Sequence, residues 1–169
     1  MDLFKEIIFG SDDAKEANLI SKAEKNGKIR KITSRLYTTN LIDSFENIVK
    51  RNLIDILAWR LPGAIISHRS AATLKPTEKG NIYLTYSFNK KIENIPGIIL
   101  NVSKGHEPIP SDIKFGSADI YASSEYRWFL EVMQKSRTGS EGENRSLPQD
   151  FIEKRLDAMI VAGGETKIN

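Results

Sequence analysis

The sequence predicts an α+β fold: a winged helix-turn-helix-like N-terminal part followed by a small mixed or antiparallel sheet with flanking helices. Three observations predict it. An apolar stripe at helical spacing over residues 14–26 leads into two short β-like runs. A second helical pattern over 45–61 stops at Pro62-Gly63, and from residue 64 onward short apolar or alternating runs are separated by turn residues.

The first helix opens where Ser11 caps and Asp12 and Asp13 place negative charge in the first turn; Ala14, Ala17, Leu19, Ile20 and Ala23 supply its apolar side. Asn26-Gly27 ends it. Two short strands follow, 28–32 and 34–38, joined at Thr33-Ser34. Helix, basic stretch and small hairpin is the order in which a winged helix-turn-helix presents its reading helix and its wing. Ser44 caps a helix over 45–61 whose buried side is Phe45, Ile48, Val49, Leu53, Ile56, Leu57 and Trp59. Residues 64–67 form a buried strand and 68–74 a short helix. The runs 82–86 and 98–102, with Ile95-Pro96-Gly97 as the turn between them, are antiparallel strand candidates. Asp119, Ile120 and Tyr121 add a strand, Ser123-Ser124-Glu125 caps a helix ending near Lys135, and the polar stretch 138–144 is the best linker in the chain. A last helix begins at 147–150, with Phe151, Ile152, Leu156, Met159 and Ile160 apolar. The chain thus divides into a winged-helix-like DNA-binding part at 1–74, an α+β part packed on it at 75–137, and a loop with a C-terminal helix at 138–169.

The 169 residues, 40% of them apolar, suffice for a core of one medium domain. No stretch approaches the roughly 18 consecutive apolar residues of a membrane helix, and the N-terminus lacks a basic region followed by an apolar one. A cytoplasmic setting without a membrane partner is expected. The absence of cysteine excludes disulfides, thiolate nucleophiles and zinc ribbons. With His68 and His106 as the only histidines, neither a metal site nor a cofactor is expected. The net charge of +3 says little until it is located: the chain carries +4 before residue 80 and −1 after it. Between residues 25 and 40 stand Lys25, Lys28, Arg30, Lys31 and Arg35 with no acid at all. That is the footprint of a phosphate-facing element.

Glycine loops for phosphate, GxGxxG or GK[ST], are missing, and Ser67, His68 and Asp55 have no GxSxG elbow to make them a triad. The tetrapeptide Ser67-His68-Arg69-Ser70 is more informative. Two hydroxyls, an imidazole and a guanidinium at a helix start just after a buried strand compose an anion site, or else a capped helix start with Arg69 solvated.

Taken in order, several stretches share a further likeness. They are Gly27 to Thr38 with its basic hairpin, Glu46 to Asn52, and Pro62-Gly63 through Ser67-His68-Arg69-Ser70-Ala71-Ala72. Leu84-Thr85-Tyr86, Pro96-Gly97-Ile98, Gly116 to Ser124, Ser136-Arg137, Leu147-Pro148, Arg155-Leu156 and Gly164-Glu165 to Asn169 continue the series. This order resembles the N-terminal winged-helix-like region of the AbiEi antitoxin group, and is more similar still to the segment that precedes the catalytic domain in bacterial Fic family proteins. Fic enzymes transfer a nucleotide monophosphate to a hydroxyl through an HPFxxGNGR loop. No such loop is present, His106 continuing as Glu107-Pro108. The resemblance therefore implies a non-enzymatic regulatory module, corresponding to the region ahead of a Fic domain. Duplex DNA is its expected partner, met by Lys25, Lys28, Arg30, Lys31, Arg35 and the Ser67, His68, Arg69, Ser70 corner. The alternative is a protein-interaction domain that controls a Fic-type or nucleotidyltransferase toxin.

Overall fold

Alternation along the strands sorts side chains to opposite faces, and that sorting builds the molecule in layers. The structure, a computed structural model, describes residues 5–87, 94–133 and 144–165. The helix end expected near Lys135, the Ser136-Arg137 pair and the loop over 138–143 lie outside the described residues. Among those described, six helices and two sheets make a mixed α+β fold. The first sheet is antiparallel, in the order β1 (Ile7–Phe9), β3 (Leu36–Thr38), β2 (Arg30–Thr33). Its inner residues Ile7, Phe9, Ile32 and Leu36 join the main core, while Ile8 and Tyr37 face outward to α1 (Ala14–Lys25).

Beneath that sheet lie α2 (Phe45–Arg51) and α3 (Leu53–Arg60), which fill the core with Ile48, Val49, Leu53, Ile56 and Leu57. The single helix expected over 45–61 is interrupted at Asn52. This residue leaves helical geometry (φ −108°, ψ 21°), and its side-chain amide donates to the Ile48 carbonyl and to Glu6. A polar side chain that bonds nearby backbone competes with regular helix. The Glu6 carboxylate also accepts from Arg51 and Asn40, and Arg51 reaches Asp43, so β1, the 39–43 loop and the α2–α3 junction are tied at one knot. Arg51 holds the Glu6 carboxyl down at about 2.

The second sheet has the order β6 (Ile99–Lys104), β5 (Asn81–Tyr86), β4 (Ala64–Ile66), β8 (Ile120–Ala122), β7 (Ile113–Lys114). β4 is apolar throughout because both its faces are covered. Ala64, Ile66, Ile82, Leu84, Ile120 and Ala122 point to α2 and α3. On the other side follow α4 (His68–Thr73), α5 (Glu125–Met133) and α6 (Gln149–Glu165), joined around Trp128, Phe129 and Val132. β5 and β6 are parallel, six residues in register, where an antiparallel pair was expected. The chain between them therefore crosses over rather than turning back, and Ile95-Pro96-Gly97 serves that crossover. β1 and β7 were not foreseen: each is three residues or fewer, too short for alternation to show. The boundary expected after residue 74 runs through this sheet, of which β4 is the central strand. No described helix is long and apolar enough to cross a membrane.

Candidate nucleic-acid interface

Helix α1 is the outermost layer. Its cap is Asp13, whose carboxylate accepts from the Glu16 amide, rather than the expected Ser11; Ser11 instead accepts from the Asp13 amide. Only Ile20 and Ala23 are buried, against Ile8, Ile29 and Tyr37. At about 100° per residue, Asp13, Glu16 and Glu24 lie within about 40° of Ile20 around the axis. Lys15, Asn18, Ser21, Lys22 and Lys25 fill the opposite arc, all exposed. Asp13 and Glu16 are exposed and Glu24 half-buried, but all three flank the side of Ile20, and the opposite arc holds three lysines and no carboxylate. Lys22 and Lys25 in the last turn also complement the helix dipole, but Lys15, the second helical residue, stands at the end where the dipole disfavours a cation. Lys28 and Lys31 are exposed beyond the helix, and none of these lysine side chains has a hydrogen bond or ion pair among the described residues.

The two arginines expected beside them are differently engaged. The Arg30 guanidinium donates to the Asn40 carbonyl at 2.8 and 2.9 Å and to the Asp43 carbonyl at 2.6 Å, and stacks 4.7 Å over Phe45. It clamps the loop to α2, and its assignment to a phosphate is corrected accordingly. Arg35 occupies the hairpin turn, which is Ser34-Arg35 rather than Thr33-Ser34, with φ +57°. Its guanidinium reaches the Gly10 carbonyl and the Asp12 carboxylate at 2.7 Å. Gly10 has no room for a side chain there, since a Cβ would sit 2.8 Å from that of Arg35. Arg35 pins the hairpin tip to the start of α1, through an exposed pair of small energetic worth.

The Ser67 to Ser70 corner closes inward. Ser67, His68 and Ser70 are 0%, 5% and 1% exposed, so no phosphate meets their side chains; this corrects the anion-site expectation. Thr85 donates its hydroxyl proton to Ser67 Oγ at 3.0 Å, and Ser67 Oγ and His68 Nδ1 share a hydrogen bond at 2.9 Å. Ser70 Oγ accepts from the Tyr83 amide, and the His68 amide donates to Glu131. Glu131 in turn holds Ser123 Oγ and Arg127, and Arg127 pairs with the Asp112 carboxylate at 2.6 Å, whose side chain is fully buried. Burial, aided by the charge of Arg145, pushes the His68 imidazole down to about 4. It is a neutral hydrogen-bond partner in left-handed backbone, φ +53°. Arg69 is half-buried and donates to the Asn144 carbonyl, joining α4 to the segment before α6.

Of the nine residues expected at the interface, Lys25, Lys28 and Lys31 keep unengaged exposed side chains around one edge of α1. Sequence reasoning missed Lys15, Asn18 and Lys22, although their spacing of three, four and seven residues carried the signal. No protein-family model, curated protein or solved structure matches the chain.

Proposed function

We propose that this chain is a non-enzymatic module that binds duplex DNA, of the antitoxin or transcription-regulator type. In this reading its N-terminal three-stranded unit works as a winged-helix-like head. One observation carries the reading: the solvent face of the outermost helix presents Lys15, Lys22 and Lys25 without an acid, and Lys28 and Lys31 extend that surface. Lysines so placed neutralise phosphates and release their counterions, which supplies affinity without base contacts. α1 is the reading helix and the β2–β3 hairpin a short wing, its two-residue tip held by Arg35. Among the described residues α1 alone precedes the hairpin, so the head reads with one helix. The AbiEi-like order of motifs agrees with this assignment.

Mobility-shift titrations at several salt concentrations test it. The Lys15→Ala/Lys22→Ala/Lys25→Ala variant should bind more weakly, with a log–log salt slope shallower by about three. Unchanged binding and slope would remove α1 from the interface.

A second reading, control of a Fic-type or nucleotidyltransferase toxin, rests on α5. Tyr126, Leu130 and Met133 recur at helical spacing and are 76%, 66% and 70% exposed, while Trp128, Phe129 and Val132 fill the opposite face. If capture from nuclease-treated host lysate with Leu130→Lys as control yields the same proteins from both forms, this surface is not a docking site.

A further inference from the structure

The proposed lysine face says how α1 holds a duplex; its middle says what it reads. Asn18 and Leu19 stand between Lys15 and Lys22, each lying three or four residues from both lysines. On an α-helix that spacing makes neighbours, so the two lysines flank the pair one turn above and one turn below, about 10 Å apart along the axis. Asn18 is the central residue least suited to a helix interior. Asn is a poor former in a helix interior because its amide competes for nearby backbone, yet here it makes no hydrogen bond among the described residues. Leu19 leaves 52% of its surface in water although α1 has little buried apolar surface of its own. A lone exposed leucine is ordinary. An amide with no partner and an exposed aliphatic side chain, about 100° apart on the helix with unpaired lysines one turn to either side, put a donor–acceptor pair and an apolar contact on one charged patch.

We infer that α1 reads an A·T base pair in the major groove, with Asn18 bidentate to adenine and Leu19 against the thymine methyl. This inference rests on the DNA-binding reading above. The chemistry follows from the groove: adenine offers an N6 donor beside an N7 acceptor, matching the carboxamide of Asn18, while thymine alone offers an exposed methyl. The lysines on either side fix the helix on the backbone, and carry no sequence information through phosphates. The expected ligand is therefore a duplex with at least one A·T step at its centre, and a G·C step there leaves the Asn18 amide mismatched.

Selection from a random duplex pool, with the wild type and the Asn18→Ala and Leu19→Ala variants, tests this directly. Both side chains are exposed, so the variants should keep the wild-type circular dichroism and melting temperature. Wild type should enrich a motif with a fixed A·T position, and Asn18→Ala should lose that preference while keeping the salt slope. In the selected site, 7-deazaadenine should weaken wild type about ten-fold or more and leave Asn18→Ala unaffected. Uracil for thymine should weaken wild type but not Leu19→Ala. If Asn18→Ala enriches the same motif as wild type, the inference is overturned and the lysine face stands. Failure of wild type to bind any duplex would overturn the DNA-binding reading and this inference with it.

Discussion

The outer face of α1 and the corner at the end of β4 both collect polar and basic residues, and they end in opposite conditions. On α1 the lysines lie on the arc turned away from the helix's own acids, none of them is paired among the described residues, and their charge stays available. At the corner every polar group named finds a partner inside: Ser67 with Thr85 and His68, Ser70 with Tyr83, Glu131 with Ser123 and Arg127. A binding surface is a surplus of polar groups over local partners; a polar core is the same residue types in balance. Composition alone does not separate the two.

The sharpest way to break this contrast is to remove one member of the balanced set. Arg127→Ala leaves the fully buried Asp112 carboxylate without its cation, and should cost about 3–5 kcal/mol in urea unfolding, as loss of one partner of a buried pair does. A loss below about 1 kcal/mol would show the network to be loosely solvated. Arg30→Ala comes next. It removes bonds to two loop carbonyls and a stacked contact from a half-buried position, for about 1–2 kcal/mol in the same measurement, with DNA salt dependence unchanged. The Lys15→Ala/Lys22→Ala/Lys25→Ala variant should sit at the other extreme, within about 0.5 kcal/mol of wild-type stability, while DNA binding falls.

Acid offers a fourth comparison. The His68 imidazole is depressed to about 4 in the fold against an ordinary 6.5, so between those values the unfolded chain binds the extra proton. Stability from this group is complete above pH 6.5 and is lost as pH falls toward 4. Glu6, at about 2 against 4.5, contributes stability that persists above 4.5 and drains away toward 2. Urea midpoints measured from pH 7 to 3 should fall in two stages. His68→Asn, which retains a polar side chain and tolerates left-handed backbone, should flatten the upper stage only.

Much of this arrangement was legible in the sequence, for physical reasons that can be named. The apolar side of α2 and α3 has enough residues for periodicity to report burial, and β4 shows as an unbroken apolar run between turn residues; of the α1 stripe only Ile20 and Ala23 are buried, while Ala14, Ala17 and Leu19 stay exposed. Asn52 was not legible as a break, because its partner Glu6 is 46 residues away. The direction of β6 was hidden for a similar reason: six paired residues look alike whether the pair is parallel or antiparallel. At the site, the basic run from Lys25 to Arg35 showed in the charge count. The count could not show that Arg30 would meet the carbonyls of Asn40 and Asp43, nor that Ser67 would face Thr85. Lys15 and Lys22 lay outside the acid-free window because Glu16 and Glu24 interrupt the basic residues there, and only helical geometry moves those acids aside.

The satellite cluster under α1 carries one more consequence. The helix is held by Ile8, Ile20, Ala23 and Ile29 with Tyr37, a cluster separate from the main core that runs from Ile7 to Ala122. Local opening costs only what local burial supplies. The amides of α1 should therefore exchange with deuterium well ahead of those in β4 and β5, and a protease should nick here first. If α1 meets a duplex as proposed, the element that binds is also the element that peels away alone, and occupancy by DNA should slow exchange in α1 while the layers behind it keep their own pace.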